Sequence, residues 1–182
     1  MKTALWVFGY GSLIWNPGFA HLRAEVARLP GWHRSFCMTS IHYRGTATAP
    51  GLVLALDRAD GGYCDGLAFE VDAALREETL ANLRTRELIS YAYSEEWLDV
   101  TLASGPRVQA LAYVINRDHD QYSGALPLEG QAQIIARSCG ERGPNCDYLY
   151  ATTDHLAKLG IADADLDWLS ARVRQLRELP TN

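Results

Sequence analysis

Short apolar runs dominate the first half of this 182-residue chain and predict strands rather than helices. Each run is rich in large apolar residues and is bounded by glycine, proline or polar residues. The runs predict strands at about residues 5–10, 25–40, 52–57 and 63–71. Asp60, Gly61 and Gly62 lie between the last two runs. Because glycine readily adopts the positive φ of tight turns, these three residues predict a β-hairpin.

The apolar spacing becomes helical from Asp72 onward. Asp72 has the character of an N-cap, and the following residues, rich in Ala, Leu, Glu and Arg, predict a helix to Ile89. Strand-like runs return at residues 97–102 and 107–115, and helices are predicted at about residues 128–139, 148–158 and 163–179. Strands followed by helices, without regular alternation, indicate an α+β fold with a mixed or barrel-like sheet. The length suits a single domain over residues 1–182.

Composition and charge exclude several classes of partner. The chain is 48% hydrophobic and 21% charged, as is ordinary for a globular protein, and its net charge is −5. A nucleic-acid partner is not expected, because such proteins usually present a basic face. No apolar run reaches the length of a membrane span, and the N-terminus lacks a signal-peptide pattern. We therefore expect a cytoplasmic protein with a small-molecule substrate and no membrane partner; the oligomeric state is left open.

The cysteines and histidines are dispersed and do not predict a metal site. The four cysteines form no Cys-x-x-Cys pair and show no Cys/His ligand spacing; they are Cys37, Cys64, Cys139 and Cys146. Buried, reduced thiols are the expectation for them. No metal and no other cofactor is expected.

The most distinctive local pattern is a Gly-x-Gly-Ser turn directly after the first predicted strand, in the stretch WVFGYGSLIW at residues 6–15. Gly9 and Gly11 permit positive φ and close approach of another molecule. The N–H groups of Gly11, Ser12 and Leu13 would then converge on a carboxylate or an oxyanion. A tight turn after a core strand is the alternative.

Nucleotide binding is disfavoured by what surrounds this turn. The dinucleotide fingerprint needs a third glycine and then a helix, whereas Pro17 and Gly18 predict a loop. The phosphate-binding P-loop also fails, because Gly-Lys-Ser and Gly-Lys-Thr are absent from the sequence.

One carboxylate lies on the apolar side of a predicted helix. At 3.6 residues per turn, Leu80, Leu83 and Glu87 share a face. A carboxylate on an apolar face loses solvation, which raises its pKa toward the range of a general acid or base. The alternative is a helix-end glutamate that pairs with Arg84 or Arg86 or lies in solvent. The other glutamates nearby are assigned to a solvated helix face and an acidic loop; they are Glu77, Glu78, Glu95 and Glu96.

Four further residues have possible chemical roles. Arg44 would suit a substrate carboxylate, because its planar fork binds both oxygens, although a surface loop arginine is the commoner case. Ser12 as an acyl-transfer nucleophile lacks the Gly-x-Ser-x-Gly elbow. Cys37 has histidines nearby in sequence, but a buried structural cysteine is the better interpretation. Tyr148 would place a hydroxyl in a pocket or contribute to core packing.

Several stretches, taken in order, resemble the ChaC-type γ-glutamylcyclotransferases that act on glutathione. Residues 6–19, WVFGYGSLIWNPGF, resemble the family's opening almost residue for residue. The other similar stretches are GWHRSFC at 31–37, YRGT at 43–46, PGLVLAL at 50–56, RE at 86–87, QYSG at 121–124 and GERGP at 140–144. The likeness covers about residues 5–160. It departs after Glu87, where LISYAY lacks glycines that some members carry.

This resemblance implies a small mixed β-barrel with peripheral helices and a reaction without a cofactor. The α-amine of glutathione would close on its own γ-carbonyl and release 5-oxoproline and Cys-Gly. Glu87 would be the catalytic acid/base. The implied substrate-binding residues are Val7, Phe8, Gly9, Tyr10, Gly11, Ser12, Leu13, Arg44 and Tyr148. Two other functions stay open: a cyclotransferase for other γ-glutamyl peptides or amines, and a non-catalytic γ-glutamyl-binding module.

Overall fold

The computed structural model describes residues 4–178. They form two compact units. The first comprises residues 4–35 and Ala55–His119, and the second comprises Phe36–Leu54 and residues 120–178. Within the described residues, no helix is both long enough and apolar enough to cross a membrane.

Five strands form a closed mixed barrel: β1 (Leu5–Gly9), β2 (Arg23–Ser40), β3 (Gly51–Val71), β4 (Tyr93–Leu102) and β5 (Arg107–Ile115). Their order is β1-β3-β2-β4-β5. β1 runs antiparallel to β3, and it runs parallel to β5, with Trp6 opposite Ala110, which closes the barrel. The closed mixed barrel and the accompanying helices confirm the predicted fold class.

Two strands of the barrel are buried almost throughout. Every residue of β1 is buried, and so are six consecutive residues of β5, 110–115. Such runs are expected where both faces of a strand are covered, whereas a half-exposed strand alternates. Because β1 is packed on both faces up to Gly9, the segment that follows it starts from a fixed position.

The chain reverses at residues 60–62, as predicted. The predicted strands 52–57 and 63–71 lie in one extended segment, β3, but they run in opposite directions. The first part, at Leu56, runs parallel to β5 opposite Val114, whereas the second part, at Phe69, runs antiparallel to β1 opposite Val7. Because β1 and β5 are parallel to each other, the direction of the chain changes between the two parts, and Gly61 there has a positive φ of 74°.

Asp72 caps the helical segment that follows β3, as predicted. Its carboxylate accepts a hydrogen bond of 2.8 Å from the N–H of Ala74. A 3₁₀ turn, Ala73–Leu75, leads into helix α2, Arg76–Glu87. The helix ends two residues before the predicted Ile89, and its last turn is closed by a bond from the Leu88 N–H to the Arg84 carbonyl.

An ion pair joins α2 to β4 across the connecting segment. Arg84 donates from Nε and Nη2 to the two carboxylate oxygens of Glu95, at 2.9 and 2.8 Å. The hydroxyl of the buried Tyr113 donates to Glu95 at 3.3 Å. The assignment of Glu95 to an acidic loop is wrong, because β4 begins at Tyr93. Hydrogen bonds from Arg84 hold the pKa of Glu95 below its ordinary value, and the charge of Arg84 and the bond from Tyr113 act in the same direction.

This ion pair is expected to stabilise the fold only where Glu95 is ionised. A carboxyl whose pKa is lowered by folding stabilises the protein above its unfolded pKa of about 4.3, and the effect is lost as pH falls through the folded pKa. The loss of unfolding free energy caused by Glu95→Gln should therefore be largest near neutral pH and shrink in acid. Urea denaturation across pH measures this difference. Asp99→Asn on the same strand is the control, because Asp99 is mostly exposed and lies 3.9 Å from Arg107. An equal effect of Glu95→Gln at every pH would contradict the expectation.

In the second unit, three helices pack on one another: α3 (Leu128–Arg137), α4 (Asn145–Lys158) and α5 (Ala164–Glu178). A two-stranded hairpin of β6 (Cys139–Gly140) and β7 (Gly143–Pro144) lies between α3 and α4. α4 begins three residues before the predicted position 148. Residue 179, the predicted end of the last helix, lies outside the described residues.

Side chains of the second unit satisfy the backbone groups at the buried start of β3. In an extended chain the backbone groups of every second residue point to the same side. The backbone groups on this side therefore belong to Pro50, Leu52 and Leu54. The Ser138 hydroxyl donates to the Pro50 carbonyl at 3.0 Å. The Asn145 amide accepts from the Leu52 N–H at 2.8 Å and donates to its carbonyl at 2.7 Å, as a neighbouring strand would.

Asn145→Ala is expected to destabilise the protein strongly. It leaves the N–H and the carbonyl of Leu52 buried without their partner, and each such group costs roughly 1–3 kcal/mol. We therefore expect a loss of about 3 kcal/mol in the free energy of unfolding, measured by urea denaturation. Asn82→Ala is the control, because Asn82 lies on the exposed side of α2 and alanine favours helix there. Equal effects of the two substitutions would show that the Asn145 bonds contribute nothing.

Candidate active site

The segment after β1 forms a single helical turn, and the loop predicted from Pro17 and Gly18 follows it. Helix α1 spans Ser12–Trp15, with bonds of 2.9 Å from the Ile14 N–H to the Gly11 carbonyl and 2.8 Å from the Asn16 N–H to the Ser12 carbonyl. Pro17 follows the turn and helps to end it. The N–H groups of Ser12 and Leu13 are thus in the first turn of a helix, where they lack intrahelical acceptors.

The two glycines of the turn do not use positive φ. Gly11 has a φ of −134°, and Gly9 is also outside the positive region. Gly9 is instead required by close packing, because a Cβ there would lie 3.0 Å from the Cβ of Leu13 and 3.1 Å from the ring of Phe69. The expectation of positive φ at these positions is therefore wrong, whereas the need for a side-chain-free position at Gly9 is real.

The other predicted binding residues of this segment differ in exposure. Val7 and Phe8 are fully buried in β1, and Tyr10 and Leu13 are buried as well. Only Ser12 retains a partly exposed side chain. Contributions of this segment to a ligand would therefore come from backbone N–H groups and the Ser12 hydroxyl.

A buried arginine supports the segment from within the first unit, and sequence reasoning missed it. Arg34 is only 4% exposed, and its Nη1 donates to the carbonyls of Tyr10 at 2.9 Å and Asp65 at 3.1 Å. The Tyr10 hydroxyl donates to the Tyr113 carbonyl at 2.7 Å. A buried guanidinium is costly unless it is hydrogen-bonded, so these contacts constrain the carbonyl of Tyr10. The sequence signal was weak, since Arg34 stands in an otherwise strand-like run.

Glu87 is the last residue of α2, and its side chain is only 16% exposed. Leu83 and Leu80, one and two turns earlier, are buried. The structure therefore places these three residues on the inward side of the helix, as their phase predicts. Glu87 also forms an ion pair with Arg86. The two interpretations offered by the sequence, a carboxylate on the apolar face and a helix-end glutamate paired with an arginine, therefore both apply.

Arg86 connects Glu87 to the segment after β1. Its Nε lies 3.1 Å from Glu87 Oε1, and its Nη2 donates to Ser12 Oγ at 3.2 Å. Its Nη1 donates to the carbonyls of Asn16 at 2.6 Å and Pro17 at 3.2 Å. From the sequence, Arg86 is a possible partner of Glu87 and part of the Arg-Glu stretch, without any predicted contact to the segment after β1. The guanidinium is a donor without acceptor capacity, so it does not activate Ser12 as a base would.

Arg44 and Tyr148 lie together in the second unit. Arg44 Nη1 donates to the carbonyls of Arg142 at 2.8 Å and Pro144 at 3.1 Å. Its guanidinium lies 5.8 Å from the ring centre of Tyr148, whose hydroxyl accepts from the Leu54 N–H at 3.3 Å. Burial lowers the pKa of Arg44, with the nearby Asp147 acting against it. Both side chains thus have structural contacts in addition to any contact with a ligand.

Among residues 4–178, no group of three or more His, Cys, Asp or Glu side chains is arranged to hold a metal ion. Three of the four cysteine side chains are buried, and Cys139 is exposed. The first unit therefore offers two groups of chemical interest: a mostly buried carboxylate and the N–H groups of a helical turn. Arg86 forms an ion pair with the carboxylate and donates hydrogen bonds to the segment of the turn.

Comparison with known proteins identifies the family. A family model described as ChaC-like protein matches residues 5–176. A protein of Escherichia coli (strain K12), named glutathione-specific γ-glutamylcyclotransferase, is 36% identical over 172 residues, which cover 94% of this chain and 74% of that protein. A Danio rerio protein, glutathione-specific γ-glutamylcyclotransferase 1, is 34% identical over 166 residues, covering 90% and 84%.

A solved structure supports the fold. The crystal structure of a selenomethionine-labelled yeast γ-glutamyl cyclotransferase specific to glutathione superposes with a TM-score of 0.87 and covers 97% of this chain and 98% of that one. At 22% identity, it supports the fold alone. The family match over most of the sequence, together with relatives at 36% and 34% identity, shows that this chain belongs to the ChaC-like family.

Proposed function

We propose that this protein is a γ-glutamylcyclotransferase that degrades glutathione to 5-oxoproline and Cys-Gly. The reaction type is supported by the mostly buried Glu87 carboxylate, joined through Arg86 to the segment that begins at Ser12. The substrate is supported by the names of the relatives from Escherichia coli and Danio rerio. Cyclotransfer to other γ-glutamyl peptides or amines is the second candidate.

In this reaction the nucleophile belongs to the substrate. The glutamyl α-nitrogen bonds to the γ-carbonyl carbon and closes a five-membered ring, and the bond from that carbon to the cysteinyl nitrogen breaks. No enzyme serine or cysteine is acylated. Because the reaction is intramolecular, holding the glutamyl chain in its folded conformer removes a large part of the entropic barrier.

Glu87 would transfer the protons. The substrate's α-ammonium must lose one proton before its nitrogen can attack and a second once the ring has closed, and the departing cysteinyl nitrogen must gain protons to leave as a protonated amine. A single carboxylate close to both nitrogens can accept each proton from the first nitrogen and deliver it to the second. Its position at a helix end, with most of its surface covered, limits competition from water.

The remaining roles fall to groups that bind the substrate. The N–H groups of the segment from Tyr10 to Leu13 would bind the oxyanion that develops on the γ-carbonyl oxygen, because two of them open helix α1. Arg44 would pair with a substrate carboxylate, and Tyr148 would line the pocket. We also propose that residues 1–182 act as one domain in the cytoplasm, without a nucleic-acid or membrane partner; the net charge of −5 agrees with that.

Glu87→Gln is expected to abolish turnover while the fold is retained, because glutamine cannot exchange a proton. Loss of general acid–base catalysis alone costs about 10²–10⁴-fold in rate. The measurement is the amount of 5-oxoproline and Cys-Gly formed from reduced glutathione. Glu78→Gln, on the exposed side of the same helix, is the matched control and should keep full activity. Near-normal activity of Glu87→Gln would end this mechanism.

The same assay separates the other functions. Equimolar 5-oxoproline and Cys-Gly support the proposal, whereas free glutamate would mean hydrolysis. Faster turnover of γ-Glu-Ala than of glutathione would favour the second candidate. Binding of glutathione by calorimetry without any product would favour a binding module.

Ser12→Ala is expected to lower activity without eliminating it. The substitution removes one hydrogen bond to Arg86 but leaves the backbone N–H groups in place. A net loss of about 1 kcal/mol corresponds to roughly fivefold in rate. Initial rates measure the effect, and intact-protein mass spectrometry during turnover is the complementary test. An acyl group trapped on Ser12 or Cys37 would instead indicate a hydrolase.

A further inference from the structure

We propose that Arg86 is a positioning residue for the cyclisation: it holds the Glu87 carboxylate and the segment at residues 12–17 in one fixed arrangement. This inference rests on the proposed function of Glu87. It concerns a residue that acts through its neighbours and does not require contact between Arg86 and the substrate.

The hydrogen-bond geometry of Arg86 uses all three nitrogens of its guanidinium. Nε contacts Glu87, Nη2 contacts Ser12, and Nη1 contacts the carbonyls of Asn16 and Pro17. The guanidinium is planar, so a rotation that keeps one of these contacts breaks the others. A lysine ammonium is a single point charge on a flexible stem and does not satisfy such a set.

The segment that Arg86 holds begins with the single turn of α1 and continues into a stretch without regular structure. Helix α1 ends at Trp15, and β2 begins only at Arg23. The chain approaches the guanidinium closely at Gly18, which has a φ of +74° and where a Cβ would lie 3.2 Å from Arg86 Nη1. A hydrogen-bonded cation at this point replaces the strand or helix pairing that would otherwise order the segment.

Arg86 forms an ion pair with Glu87, with 3.1 Å between Nε and Oε1, and acidic and neutral groups of β4 and β5 lie nearby. Tyr113 of β5 lies near Glu87. Burial raises the pKa of Tyr113 most, the negative charge of Glu95 raises it further, and the charge of Glu87 adds a smaller contribution. Tyr113 therefore stays neutral. From β4, Glu95 is already paired with Arg84 of α2. Arg86 thus places a positive charge next to the Glu87 carboxylate.

The decisive experiment compares Arg86→Lys with Arg86→Gln. Both should lower kcat more than they change KM, by about tenfold or more, because the acid is no longer held relative to the bound substrate. Arg86→Gln should also move the acid-side fall of kcat/KM to higher pH, since the carboxylate loses the cation that stabilises its ionised form. Arg86→Lys should keep the wild-type acid limb because it keeps the charge.

Hydrogen exchange of the backbone amides supplies a readout that does not depend on activity. Amides of residues 12–18 should exchange faster in both variants, because local opening of the segment becomes easier. Arg117→Gln is the matched control: Arg117 also donates through its guanidinium, to Asp57 at 2.6 Å, outside the candidate site. It should leave the kinetics and the exchange of residues 12–18 unchanged.

The outcomes that overturn the inference are specific. Values of kcat/KM within about twofold of the wild type, with an unchanged acid limb, would remove Arg86 from the reaction. A lowered melting temperature with wild-type kcat and KM would make its role merely structural. If Arg86→Gln does not fold, Arg86→Lys alone still tests the inference, through its kcat and the hydrogen exchange of the amides of residues 12–18. Absence of 5-oxoproline from the wild-type protein would defeat the proposed function, whereas unchanged exchange at residues 12–18 would defeat the inference.

Discussion

The Arg86 guanidinium joins the end of α2 to the segment that follows β1, and the candidate site of the first unit depends on that connection. A carboxylate at the C-terminal end of a helix meets the partial negative charge of the last carbonyl groups. A cation bonded to it at 3.1 Å offsets this repulsion. The same cation binds the carbonyls of Asn16 and Pro17, so the helix end and the segment become one hydrogen-bonded structure.

The barrel provides the rigid frame on which this structure is built. β1 is buried along its whole length and pairs with β3 on one side and β5 on the other. Its end is packed so closely that a Cβ at Gly66 would collide with the Gly9 carbonyl and lie 2.7 Å from the ring of Phe8. Arg34 adds a hydrogen bond to the next carbonyl, that of Tyr10. The start of α1 therefore has little freedom, and its N–H groups are preorganised, which is the condition for electrostatic stabilisation of a transition state.

Local features of the fold could be predicted because their causes are local. The bounds of β5, Arg107–Ile115, follow from a run of apolar residues after a Ser-Gly-Pro break. Asp72 caps the next helical segment because its short carboxylate reaches the N–H two residues on. The reversal at residues 60–62 is local in the same way, because the Asp-Gly-Gly sequence favours a turn. Which strands the two parts of β3 pair with could not be predicted, since those partners are distant in sequence.

The sequence by itself determined that Glu87 would lie on the inward side of its helix, because the spacing of 3.6 residues per turn leaves no other choice once the leucines are buried. It did not determine which arginine would pair with Glu87, since Arg84 and Arg86 are both within reach on the same helix. The tertiary structure decided this. β4 brings Glu95 to Arg84, and the segment after β1 brings Ser12 to Arg86. A side chain of several rotatable bonds takes the geometry in which the most donors find acceptors, and those acceptors come from distant parts of the chain.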